Sequence, residues 1–245
     1  MHNDPEHTSA EFDSSPLTST DISLDDDLSQ VRRRMISEAA QAIEIVKSAI
    51  DSLWELDEST ASMISKIENE IDKEEVEIEQ ECYRILALKN PFAADFRLLT
   101  FILRVNTDIE RVADHASSIR KIIARIQAPT PQWPESLREM GQRIPVMCDQ
   151  LLRAVVNTDA ELARSVVKQD RAIDKLDGQA FDEITLLIKS DPTKASNYLL
   201  IYRVARELER VGDLLGNIAE GVIYLVTGDI VRHTPKIKRN NPTTS

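Results

Sequence analysis

Apolar residues in this chain recur three and four positions apart. Ile64, Ile67, Ile71 and Ile78 follow that spacing, and so do Leu98, Ile102, Val105, Ile109 and Val112, which is the period of a helix that buries one face along its length. No stretch alternates apolar and polar residues as a half-buried strand does, and no glycine precedes Gly141. These stripes are assigned to a helical core. Breaks in the pattern are few and divide it evenly. Asp57 to Thr60 offers capping side chains between a first helix, about 30 to 56, and a second, about 59 to 89. Asn90 and Pro91 stop the second helix ahead of a third that runs to about 126. The proline-rich run Ala128 to Pro134 reads as a linker. Beyond it, Asn157 to Asp159 and Asp191 with Pro192 repeat the two breaks, and Gly228 ends the last helix. Pro145 falls inside the fourth helix and is expected to kink it or delay its start.

The expected fold is therefore all-α: two tandem three-helix bundles built from six long antiparallel helices of roughly 33 to 54 Å, with disordered tails. The predicted units are an acidic tail over 1–29, a first bundle over 30–127, a linker over 128–134, a second bundle over 135–230 and a basic tail over 231–245.

The two halves are also related in sequence. RVNTDIERVADHASSI, beginning at Arg104, recurs 99 residues later as RVARELERVGDLLGNI, beginning at Arg203, with seven of sixteen positions identical. Earlier in each half, Asp57 to Asp72 aligns without a gap on Asp159 to Asp174 at an offset of 102. Both pairs of blocks carry an acid four residues before an aspartate: Glu68 with Asp72, Glu110 with Asp114, Asp170 with Asp174, and Glu209 with Asp213. Residues four apart share a helix face, so each pair presents two carboxylates side by side.

Antiparallel helices joined by a short turn place residues equidistant from that turn at one height. Counted from Asp191, Asp170 and Asp174 lie 21 and 17 residues before the turn, while Asp213 and Glu209 lie 22 and 18 after it. Asp170 is thus expected level with Asp213, and Asp174 with Glu209. Counted from Asn90, Glu68 and Asp72 lie 22 and 18 before, and Asp114 and Glu110 lie 24 and 20 after. Four carboxylates at one level either raise their pKa values or attract a cation, and an oxygen-only set suits hard or borderline metals. The competing assignment is neutralisation by Arg111, Arg210 or nearby lysines.

A ferritin-like di-iron oxidase would need histidine three residues after the acid, yet those positions hold Ala113 and Gly212. His115 has Leu214 at the matching place and is read as a packing or surface residue. Cys82 and Cys148 are read as small buried residues, and two cysteines exclude a disulfide framework. No glycine-rich phosphate loop, nucleophile elbow or zinc set is present.

Charge narrows the function further. The net charge of -12 argues against a general nucleic-acid binder. Residues 1 to 30 hold eight acids and no Lys or Arg, the composition of a disordered tail. From Val231 onward the chain carries Arg232, Lys236, Lys238 and Arg239 with no acid, a frayed end or an arm toward an acidic partner or membrane surface. The amino terminus lacks the features of a signal peptide and no apolar run spans a membrane, so a cytoplasmic protein is expected.

ERVADHA at Glu110 to Ala116, ERVGD at Glu209 to Asp213, PFAADFR at Pro91 to Arg97 and GVIYLVTGDIVRH at Gly221 to His233 resemble the PhoU family of phosphate-signalling proteins. The resemblance covers about residues 30 to 233. It implies a six-helix, often dimeric protein whose acid-x-x-x-Asp motifs hold clusters of iron or another metal such as manganese, zinc or magnesium. Here those motifs are Glu68, Asp72, Glu110 and Asp114, and Asp170, Asp174, Glu209 and Asp213. It also implies a non-enzymatic negative regulator of phosphate uptake and phosphate-starvation signalling. Such a protein would bridge the ATPase subunit of the phosphate transporter and a sensor histidine kinase, reaching the membrane only through these partners.

Two departures from the family pattern are visible: Ala113 replaces the usual glycine, and the second half lacks an element like Asp95 to Arg97 after Asp191. Both bear on whether the two halves hold metal equally. A carboxylate-bridged metalloenzyme, phosphatase or oxidase, and a plain helical interaction module are the alternative readings.

Overall fold

The structure is a computed structural model that describes residues 19–127 and 132–229. Among these residues there are six α-helices, a single 3-10 turn at Pro192–Lys194 and no strand. The helices are α1 (Ser19–Glu55), α2 (Ala61–Lys89), α3 (Ala93–Ile123), α4 (Glu135–Asn157), α5 (Ala160–Ser190) and α6 (Ala195–Thr227). Helices α1, α2 and α3 pack on one another, as do α4, α5 and α6. The two bundles meet along α3 with α6 and α1 with α4.

Local chemistry sets the helix ends. Asn90, in the left-handed region at φ 46°, closes α2 just before Pro91. The Asp159 carboxylate accepts the backbone N–H groups of Glu161 (2.9 Å) and Leu162 (3.0 Å), satisfying two orphan donors at the start of α5. Gly228, at φ 75°, ends α6 and returns its N–H to the Tyr224 carbonyl.

Helix α2 touches the core along one narrow line. Ile64, Ile71, Ile78 and Ile85 are fully buried, while Ile67 is only partly so. Each such buried side chain contributes about 1.5–3 kcal/mol of transfer free energy. Helices α3 and α6 are wider in their apolar contact because each faces both its own bundle and the other one.

The two bundles are packed antiparallel. Along α3 and α6, Arg97 lies against Gly228, Phe101 against Gly221, and Gln127 bonds Asn197. Along α1 and α4, Arg32 donates to the Val156 carbonyl (3.0 Å) and the Thr158 hydroxyl (2.9 Å), capping the end of α4, and Lys47 pairs with Asp149. At the far end Trp54 sits on Gly141, edge-on to Trp133 with ring centroids 5.7 Å apart, and the Arg138 guanidinium lies over its ring. The α2–α3 and α5–α6 turns consequently lie at opposite ends of the molecule.

Three expectations change. Helix α1 begins at Ser19, so residues 19–29, assigned above to a disordered tail, are helical. The apolar stripe explains why: Leu24, Leu28 and Val31 continue the three-and-four spacing into Met35, and Leu28 and Val31 are buried. Asp27 on the same stretch is paired with Arg84 at 3.0 Å. Pro145 does not delay α4, which starts at Glu135 and runs through it. An interior proline costs about 3 kcal/mol, but Leu137, Met140, Ile144, Met147, Cys148 and Leu151 are all buried on one face, which offsets it. Trp133, placed in the linker, is 8% exposed and belongs to the core. Residues 1–18, the rest of the linker at 128–131, and the tail from 230 onward lie outside the described residues.

Candidate metal centres

In the second bundle α5 and α6 approach closely. A Cβ added at Gly212 would stand 3.2 Å from Ile173 Cγ2 and 3.6 Å from Asp170 Oδ1. One added at Gly216 would stand 3.5 Å from Asp170 Cγ. Asp170 therefore lies across the stretch of α6 that carries Asp213, the level expected from counting out from the turn. Asp170, Asp174 and Asp213 each offer a carboxylate oxygen, all within 4.8 Å of one another. All three side chains are half-buried, with the fully buried Ile173 between the two on α5.

Glu209, the fourth expected member, sits beside the triad rather than in it. Burial raises its pKa first, and Asp213 adds to that; Arg206 opposes the rise, while Asp177 and Asp174 reinforce it. The Arg206 guanidinium stands 2.9 Å from Asp177 and 3.4 Å from Glu209. A cation is thus already built into the upper part of this site.

The first bundle is arranged differently. Glu110 and Asp114 share a hydrogen bond, and the Glu110 pKa is pushed up to about 7, by burial first and then by Asp114, Glu75 and Asp72. The Asp72 pKa is also raised, by burial, Asp114 and Glu68 in that order. Glu68 faces Lys121 at 3.6 Å. These acids feel one another, but among the described residues they form no triad as close as that of the second bundle. The counted heights already differed by two residues in this half, and Glu68 has Lys121 beside it. Arg111 and Arg210 are exposed, while Lys121 stands beside Glu68 and Arg206 beside Glu209.

Other candidates fall where packing puts them. Nδ1 of His115 is 2.6 Å from the Glu207 carboxylate, joining α3 to α6. Cys82 and Cys148 are free and fully buried, and burial pushes both thiols up to about 12. Ala113 is buried, and Gly212 lets α5 close on α6.

Sequence reasoning missed Glu38, Glu75, Asp177 and Arg206. Glu75 and Asp177 carried a signal, because they lie 102 residues apart in the register that matches Asp72 to Asp174. Glu38 carried one too, as an acid in the apolar stripe of α1 between Met35 and Ala42.

A model of the PhoU domain matches residues 35–123 and again residues 137–222. The chain belongs to the PhoU family. Each PhoU domain is one of the two bundles, and its two motif-bearing helices are α2 with α3 or α5 with α6. The phosphate-specific transport system accessory protein PhoU homolog of Pseudomonas aeruginosa is 34% identical over 209 residues, covering 84% of this chain and 86% of that protein. The crystal structure of PhoU from P. aeruginosa matches with a TM-score of 0.81 at 32% identity, covering 84% of this chain and all of the other. The phosphate transport system regulatory protein PhoU from Streptococcus pneumoniae matches with a TM-score of 0.78 at 28% identity, covering 86% of this chain and all of the other. Both PhoU structures therefore share the antiparallel six-helix layout described above.

Proposed function

We propose that this chain is a negative regulator of phosphate uptake and of the phosphate-starvation response. It would act as a cytoplasmic adaptor between the phosphate transporter's ATPase subunit and a sensor histidine kinase. The observation that carries this reading is the likeness, over more than four-fifths of the chain, to proteins named as accessory or regulatory components of phosphate transport. Those names point to regulation rather than turnover. No described helix is long and apolar enough to cross a membrane, in keeping with contact made through partners.

Metal is part of the proposal. Asp170, Asp174 and Asp213 would hold a cation in the second PhoU domain with Glu209 alongside, and Glu68, Asp72, Glu110 and Asp114 would serve the first. The donor set is carboxylate oxygen throughout, which fits iron, manganese or magnesium and leaves zinc without its usual nitrogen or sulfur ligands. A bound cation would supply positive charge to carboxylates gathered at one place. What the chain does is fix the geometry: Gly212 and Gly216 admit Asp170 to the surface of α6, and Ile173 forms the floor. A cation shared by Asp170, Asp174 and Asp213 ties α5 to α6, making the spacing of those helices depend on occupancy. A homodimer is part of the same reading.

Deletion of the gene in its source cell, grown with ample phosphate, tests the regulatory role. Phosphate-starvation genes should switch on and uptake should rise. Silent genes with unchanged uptake would overturn the proposal.

A further inference from the structure

Glu38 occupies a core position. Val31, Met35, Ala42, Ile45 and Ala49, which share its stripe on α1, are at most 2% exposed, and Glu38 itself is 1% exposed. Neither of its carboxyl oxygens makes a hydrogen bond. The charges of Glu74 and Glu75 on α2 and of Glu110 on α3 reach it, although among the described residues only Asp170, Asp174 and Asp213 bring three carboxylates within 4.8 Å of one another. Arg34, one turn earlier, is also sensed but is engaged by Glu74 and Glu77, each at 2.6 Å. Burial, followed by those three acids, pushes the Glu38 pKa up to about 9. Asn106, one turn before Glu110 and 2% exposed, donates its amide to the Glu75 carbonyl at 2.8 Å and leaves its side-chain oxygen without a hydrogen bond.

The second PhoU domain fills the same place in another way. In the register that lays Asp57 on Asp159, Glu38 corresponds to Met140 and Glu75 to Asp177. In the register that lays Arg104 on Arg203, Glu110 corresponds to Glu209, Asn106 to Ala205 and Thr107 to Arg206. Asp177 and Glu209 are bridged by the Arg206 guanidinium. Their counterparts Glu75 and Glu110 have exposed Thr107 where that arginine would be, and gain a third carboxyl, Glu38, from behind. One domain thus carries its own cation and the other an additional acid. A buried carboxyl without a hydrogen bond is costly, and oxygen donors such as this carboxyl, the Glu75 and Glu110 carboxyls whose charge it feels and the unpaired Asn106 amide oxygen are those a hard cation takes.

We propose that Glu38, from outside any acid-x-x-x-Asp motif, is a ligand for a divalent cation in the first PhoU domain. Its partners are Glu75, Glu110 and the Asn106 side-chain oxygen, and in the second domain Arg206 takes that cation's place. The inference rests on the reading that the paired acids hold metal. It makes the two domains unequal by one cation.

Manganese titration of the full chain after chelator treatment tests it, comparing wild type, E38M and the triple variant D170N/D174N/D213N. E38M installs the residue found at Met140 and removes a buried carboxyl, so it folds; thermal unfolding of the chelated protein checks this. E38M should bind one manganese fewer per chain, or bind it at least tenfold more weakly, while the sites removed in the triple variant stay intact. If E38M binds as wild type does while the triple variant loses metal, Glu38 is only a buried acid and the paired-acid reading stands. If wild type binds no manganese, both fall together.

Discussion

Replacing Glu38 with methionine should stabilise the metal-stripped protein at neutral pH, by an amount the structure sets. Glu38 is 1% exposed with no hydrogen bond, and its pKa is raised from an ordinary value of 4.5 to about 9. The folded chain holds this proton at neutral pH and the unfolded chain releases it, so the group contributes most to stability below about pH 4.5. That contribution is lost as pH rises toward about 9, at about 1.4 kcal/mol per pH unit. At pH 7 the loss amounts to about 3 kcal/mol. In a domain of this size it corresponds to roughly 6–12 °C in Tm. Urea unfolding followed by circular dichroism in EDTA, from about pH 5 to about pH 9, reads the effect. The E38M advantage should be under about 1 kcal/mol at the acid end and grow steadily toward the alkaline end. Parallel curves with a constant offset would refute the reasoning, because they would show that Glu38 changes no protonation on folding.

Other substitutions test the packing that holds the sites in place. Gly141→Ala drives a Cβ into Trp54 Cζ2, on a ring already held by Trp133 and Arg138. It should lower Tm and change the near-UV tryptophan signal, with an overpacking cost of about 1–3 kcal/mol that exceeds the helix gain of about 1 kcal/mol. Ile71→Ala empties a fully buried position beside Asp72 and should cost about 2–5 kcal/mol in denaturant unfolding. Asp159→Ala removes the cap on the Glu161 and Leu162 N–H groups and should cost about 1 kcal/mol. Its effect on manganese affinity should be small, because the cap lies three turns from Asp170.

Much of the architecture was legible because helices announce themselves locally. The stripes of Ile64, Ile71 and Ile78 and of Ile102, Val105 and Ile109 encode both the helices and their buried faces. The breaks at Asn90 and Asp191 then fix which residues stand level, and that counting brought Asp170 beside Asp213. In the first half the same counting left a mismatch of two residues, and no triad within 4.8 Å forms there among the described residues.

What stayed hidden depends on packing between elements distant in sequence. That Pro145 would not delay the start of α4 became clear only with Met140, Ile144, Met147 and Leu151 seen buried on one face. The early start of α1 was masked by the acids at 25–27, although Leu24, Leu28 and Val31 already carried the stripe. Glu38 was overlooked because attention to acid pairs passes over a lone acid in an apolar row. Arg206 was overlooked because one of its partners, Asp177, lies 29 residues away on the neighbouring helix, while only Glu209 is close to it on its own.

The paired acids are proposed as cation sites. Anomalous X-ray diffraction at the manganese edge, from crystals of the full chain equilibrated with manganese, tests this most directly. The prediction is a peak between Asp170, Asp174 and Asp213, a further peak among the first-domain acids, and neither in a variant with Glu110, Asp114, Glu209 and Asp213 changed to alanine. Maps without anomalous density at either place, at manganese concentrations that saturate ordinary carboxylate sites, would contradict it.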